Sequence, residues 1–135
     1  MFDLVYDGIK GILQGQGYAE STEAVDFVNA SANEYENTFI LKTNKGEIDE
    51  KSIINTLYDR QTWEIQIAFG KNANADIVNR NQAHRAKDTL LVKLDNPDNW
   101  SSFVEIIKYK SWELREFPNY FVLSIMLEII DKYTY

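Results

Sequence analysis

A chain of 135 residues with 21 acidic against 14 basic side chains, a net charge of -7 and no cysteine is one domain by size, long enough to bury a normal core. The missing cysteine excludes a disulfide framework and any thiolate nucleophile or metal ligand. The acidic balance argues against a grip on phosphate backbones, which needs clustered Lys and Arg, yet suits a surface past which DNA slides without sticking.

The longest apolar run contains Ser124 and ends at Glu128, too short to span a bilayer. Met1-Phe2-Asp3 lacks a basic region and a cleavage site, so synthesis and folding in a cytoplasm are expected. Phe2, Val5, Tyr6, Ile9, Ile12 and Leu13 recur at three- and four-residue spacing and predict an amphipathic helix over Phe2 to Gln14, weakened by Gly8 and Gly11. Gly15-Gln16-Gly17 ends and caps it. Ala24 to Val28 reads as a short strand and Asn29 to Asn37 as a polar connection. Thr38 to Lys42 reads as a second strand. Asn44-Lys45-Gly46 is a turn signal, followed by the charged stretch Glu47 to Lys51. Ile53 to Tyr58 returns extended, which makes a long hairpin or arm whose tip, Thr43 to Ser52, is expected to be mobile in the free protein.

Gln61 to Phe69 alternates strictly, with Trp63, Ile65, Ile67 and Phe69 on one face and Thr62, Glu64 and Gln66 on the other, and Gly70 ends the strand. Asn72 or Asn74 caps a helix over Ala75 to Leu94, with Asp76 in its first turn. Its stripe is Ala75, Val78, Ala83, Ala86, Leu90 and Leu94, and Pro97 follows as a stop. In the last third Phe103, Ile107 and Tyr109 share one parity while Trp112 and Leu114 share the other, so a β-bulge is placed near Ser111. Beyond the Phe117-Pro118-Asn119 turn, Tyr120 to Ile130 puts Phe121, Leu123, Ile125, Leu127 and Ile129 on one face and Val122, Met126 and Ile130 on the other. A strand is favoured by its β-branched and aromatic content; a buried helix is the alternative, since Ser124 and Glu128 lie four apart. A strand apolar on both faces needs cover on both sides; the chain's own helices can supply one cover and a neighbouring subunit can supply the other. The elements sum to an α+β fold: a single domain over 1–135, a mostly antiparallel sheet packed against two helices, with a long β-hairpin arm.

Candidate chemistry is sparse. His84, with Arg80 four residues before and Asp88 four after, could give two metal ligands, but a lone pair at that spacing more commonly marks a solvated helix face. Acid-base catalysis needs two carboxylates held in a pocket at a set separation, which only a structure shows; Asp59 and the carboxylates of the arm read as solubilising loop charges, and residues 15–17 lack dinucleotide-loop spacing. Trp63, Trp100 and Trp112 could stack bases, but without a basic groove they read as core or interface aromatics.

The short first helix, the Thr38–Lys42 strand leading into a charged hairpin, the Thr62–Ile67 strand, the helix after it, and a closing strand pair ending Asn119-Tyr120-Phe121-Val122-Leu123 together resemble the small tail-terminator or tail-completion proteins of long-tailed bacteriophages. The resemblance covers most of the chain by element order and texture. It implies a virion protein that assembles as a ring, usually a hexamer, on the head-proximal end of the tail tube. Such a ring stops tube growth and joins the head connector, and DNA passes through it without specific binding. It also implies no catalytic residue, cofactor, metal or membrane. The interface with subunits or tube is then expected on the arm, at Lys45, Glu47, Ile48, Asp49, Glu50, Lys51, Tyr58 and Arg60, with Ile48 as the apolar anchor. Alternatives are a related head-completion or neck protein, a small α+β enzyme or ligand-binding domain with a pocket between the Ala75–Leu94 helix and the sheet, and an immunity protein that neutralises one soluble partner.

Overall fold

The computed structural model describes residues 2–50, 52–71, 76–100 and 104–134. Helix α1 runs Phe2–Gly15 and buries Val5, Ile9, Ile12 and Leu13, the face its spacing predicts. Its end is a Schellman turn. The Tyr18 N–H donates to the Leu13 carbonyl at 3.2 Å and the Gly17 N–H to the Gln14 carbonyl at 3.0 Å, with Gly17 at φ +92° where a side chain would be strained. Gly8 is a contact: a Cβ there would lie 2.8 Å from the Trp100 ring. That indole also donates to the Leu94 carbonyl at 2.7 Å, so one side chain ties α1 to the end of the second helix, α2, Asp76–Asp95.

The strands are β1 Ala19–Glu20, β2 Thr38–Ile48, β3 Thr56–Gly70, β4 Val104–Glu116 and β5 Tyr120–Thr134, ordered β1-β2-β3-β5-β4. β1 pairs parallel with β2 and every other pairing is antiparallel. The fold is therefore the expected α+β arrangement, and the Tyr120 run is a strand. It pairs with β3 from Gly70↔Tyr120 to Thr56↔Thr134 and with β4 on its other side. Two flanking strands satisfy its backbone along nearly its full length, which removes the helical alternative.

Trp63, Ile65, Ile67 and Phe69 are buried with Phe121, Leu123, Ile125, Leu127 and Ile129 in one core, which also takes the inner faces of α1 and α2. The β4 register shifts between Tyr109 and Ser111, so Ile107 and Tyr109 lie beside Ile129 and Leu127 while Trp112 and Leu114 lie beside Ile125 and Leu123. The bulge thus reconciles the two parities as their sequence requires. Phe103, the cap candidates Asn72 and Asn74, and Ala75 lie outside the described residues.

Four expectations are corrected. Ala24–Val28 is not a strand. Asp26 accepts the Val28 N–H at 3.1 Å and the Asn29 amide at 2.7 Å, and this local turn competes with extended pairing. Phe27 from this segment and Tyr35 from the connection after it pack with Phe117 and Tyr120 over Ala68 and Val122, so at this end the second face of β5 is covered by the chain itself. β1 escapes sequence reading because two residues show no period. The Asn44-Lys45-Gly46 signal is not the hairpin turn: Lys45 and Gly46 pair with Thr62 and Gln61, and Asn44 is a bulge. Gly46 serves close approach there, since a Cβ would sit 2.8 Å from the Arg60 carbonyl. The chain reverses instead between Asp49 and Thr56, with Asn55 at φ 67° and Ile53 and Thr56 exchanging backbone hydrogen bonds at 3.0 and 3.1 Å. On α2, Ala83, Leu90 and Leu94 are buried as expected but Val78 is 62 % exposed; five residues from Ala83, it falls about 140° around the helix.

Candidate functional site

The β2–β3 hairpin end gathers most of the expected interface residues. β2 leaves the core at Thr43, and β3 supplies Arg60 opposite Glu47 and Tyr58 just beyond the last pair, Ile48 and Asp59. Lys45 and Glu47 lie on the sheet face away from the helices, opposite Thr62 and Arg60, while Ile48 lies on the other face opposite Asp59. Arg60 holds this end together: its guanidinium reaches the Asp49 carboxylate at 2.5 Å and the Glu47 and Glu128 carboxylates at 3.9 Å each. Asp49 donates its N–H to the Tyr58 carbonyl at 2.8 Å, and the Ser52 hydroxyl accepts the Tyr58 N–H at 3.0 Å. Lys132 sits 5.9 Å from the Tyr58 ring. The tip that was expected to be mobile is therefore strand-paired as far as Ile48 and ion-paired at Asp49. Glu50 is exposed and Lys51 lies outside the described residues.

At the turn, Ile53 is 69 % and Ile54 88 % exposed, and Ile48 at the end of β2 is 56 % exposed. Sequence reading assigned Ile53 and Ile54 to an extended segment and missed them as surface anchors. The available signal was Asn55, a residue that tolerates the left-handed conformation a tight turn needs.

The face away from the helices carries charge from strand to strand. Glu128 accepts from Lys110 at 3.1 Å, and this hydrogen bond holds its carboxyl below the ordinary carboxylate range. Ser124 donates to Glu64 at 2.8 Å and the Gln66 amide donates to the same carboxylate at 3.3 Å. Beside them a cleft of about 240 Å³ is bounded by Phe27, Lys42, Gln66, Arg115, Phe117 and Ser124.

A second cleft, about 380 Å³, lies between α2 and the sheet, lined by Arg80, His84, Trp112, Leu114, Glu116 and Phe121. His84 is half-buried here, not on a solvated face: its ring meets Trp112 edge-on at 5.5 Å. Lys87 sits 4.0 Å above the Trp112 indole. Glu116 accepts from Lys71 at 2.8 Å and from Arg80 at 3.3 Å, and the Lys71 hydrogen bond holds its carboxyl below the ordinary range. Asp88 ion-pairs with Lys87 at 3.3 Å. Among the described residues no group of three His, Cys, Asp or Glu could hold a metal ion.

The remaining aromatics are structural. Trp63 donates to the Gln61 side chain at 2.8 Å within the core. Burial pushes the Tyr109 phenol up to about 12, and that hydroxyl donates to the Leu91 carbonyl at 2.8 Å, binding β4 to α2. Among the described residues no helix is long and apolar enough to cross a membrane. No protein-family model matches the chain, and no curated protein matches it.

Proposed function

We propose that this protein is a structural assembly protein of the tail-terminator type, which forms a ring on the head-proximal end of a phage tail tube, stops its growth and joins it to the head connector. The observation that carries the reading is the hairpin end. Arg60 fixes its geometry through Asp49, and the turn it supports presents Ile48, Ile53 and Ile54 to solvent. A hydrogen-bonded hairpin end that exposes several isoleucines suits contact with another protein better than it suits solvation. The net charge of -7 fits a conduit through which DNA moves without adhering. The interface role falls to Lys45, Glu47, Ile48, Asp49, Glu50, Lys51, Tyr58 and Arg60, joined by Ile53 and Ile54. The test is to mix purified protein with tail tubes and image them by electron microscopy. Rings at one tube end, and tubes that no longer extend, are the expected result. Tubes that bind nothing and grow unchecked would sink the reading.

The cleft between α2 and the sheet favours a second reading, a ligand-binding domain. Its cation Arg80 lies 5.3 Å from the Phe121 ring, beside the Trp112 and His84 rings, and Lys71 sits 5.1 Å from the same Phe121 ring, a setting suited to an aromatic anion. Saturable quenching of Trp112 fluorescence by such a compound in a strictly monomeric protein that ignores tubes would favour it.

A further inference from the structure

The five-stranded sheet ends on two edges that are complementary to each other. β4 is the last strand on one side, and on the other β1 covers only Thr38 and Phe39 of β2. The rest of β2, from Leu41 to Ile48, presents an outer edge as long as Ile107 to Leu114 of β4. The successive antiparallel pairings of β2, β3, β5 and β4 alternate strand direction. A second copy in the same orientation therefore lays its β4 antiparallel to this β2, the geometry in which edge strands join most readily.

We infer that β2 of one copy pairs with β4 of the next, with Lys42 opposite Glu113 and Glu47 opposite Lys108. All four lie on the face away from the helices, as their partners Glu64, Ser124, Arg60 and Glu128 show. The same register sets Leu41 against Leu114 and Ile48 against Ile107 on the helix side, where these residues neighbour Ile65, Leu123, Asp59 and Ile129. Each strand carries one bulged residue in this span, Asn44 and Lys110, so the register is unbroken on either side of the two bulges. Gly46 falls opposite Tyr109, giving the large ring room. Moving the strands by two residues sets Lys42 against Arg115 in one direction and against Ser111 in the other, so the opposite-charge pairs hold in one register. Lysines and bulges on an edge are also the ordinary means of blocking such pairing. They do not call for matched bulges and reciprocal charges on two different edges. A contact between unlike edges is heterologous and generates a ring when the rotation closes; in this respect the inference rests on the assembly reading and names how its subunits join.

The chain has no cysteine, so introduced thiols report cleanly. Directly opposed cross-strand residues bring their Cβ atoms to about 5 Å, near disulfide reach. Lys42→Cys and Glu113→Cys proteins, mixed and oxidised, are expected to form a linked heterodimer, and the double variant a ladder of linked species. Lys42→Glu and Glu113→Lys should each weaken self-association measured by light scattering, and their combination should restore it. Linkage of Lys108→Cys to Glu113→Cys instead would mean that two β4 edges meet, which overturns the inference. Oligomers without the Lys42–Glu113 link overturn this edge pairing while leaving self-assembly standing. A monomer mass at every concentration, with no linked species, overturns the pairing and leaves ring formation on tubes as the separate test of the assembly reading.

Discussion

Arg60 and Asp49 form the closest ion pair described at the hairpin end, 2.5 Å between guanidinium and carboxylate, and it spans the point where β2 gives way to the turn. The same Arg60 reaches Glu128 on β5, so three successive parts of the sheet meet at one side chain. Arg60→Ala should therefore speed amide exchange at Asp49, Ser52 and Tyr58, whose N–H groups are bonded within the tip, and leave Ile65 as protected as before. Unchanged exchange at the tip would mean that the backbone alone holds it.

Gly8 and Gly11 both sit in α1, where Ala normally gains about 1 kcal/mol over Gly. They should respond oppositely. Among the described residues nothing lies within 4 Å of a Cβ at Gly11, whereas one at Gly8 strikes the Trp100 ring. Gly11→Ala should raise the urea midpoint, and Gly8→Ala should lower it by displacing the side chain that caps α2, a loss of about 1–3 kcal/mol. Equal gains at both positions would show that Trp100 shifts without cost.

Ile65 and Ile67 are fully buried on the strand between β2 and β5. Truncation of either to Ala should cost roughly 2–5 kcal/mol in urea unfolding. A loss below about 1 kcal/mol would put the wrong face inside.

Glu128 has its folded carboxyl held below its ordinary value of 4.5, first by the Lys110 hydrogen bond. A lowered folded pKa contributes stability above the unfolded value and loses it as the pH falls through the folded one. Glu128→Gln should then flatten the acid limb of the stability curve below about 4.5. Parallel curves for the two proteins would remove the carboxylate from that limb.

Ile48 is exposed on the hairpin and makes no part of the core. Ile48→Asp should shift stability by about 1 kcal/mol or less, as surface changes do, yet block ring formation on tail tubes. His84→Ala loses its contact with Trp112 and should lower the melting temperature slightly while leaving tails of normal length. Complementation that scores virions and tail length separates the two; normal assembly with Ile48→Asp would take the hairpin out of the interface.

What the sequence determined by itself was which way side chains face. The alternation of Trp63, Ile65, Ile67 and Phe69, the spacing of Val5, Ile9 and Leu13, and the parity change after Tyr109 all survive in the structure, because orientation in a strand or helix follows from local geometry at a fixed period. Tertiary structure decided what lies against each face and where the chain turns. Gly46 looked like a turn until Arg60 was placed across from it. Val78 looked like part of the α2 stripe until the helix settled on the residues in phase with Ala83. The cover over Val122 came from Phe27 and Tyr35, distant residues whose pairing no local period encodes. The candidate site follows the same division: the charges of the hairpin were legible as a solvated stretch. Only the tertiary structure set Arg60 against Asp49, turned Ile53 and Ile54 outward, and left most of β2 and the outer side of β4 as the two edges of the sheet, since these relations depend on contacts between residues far apart in the chain.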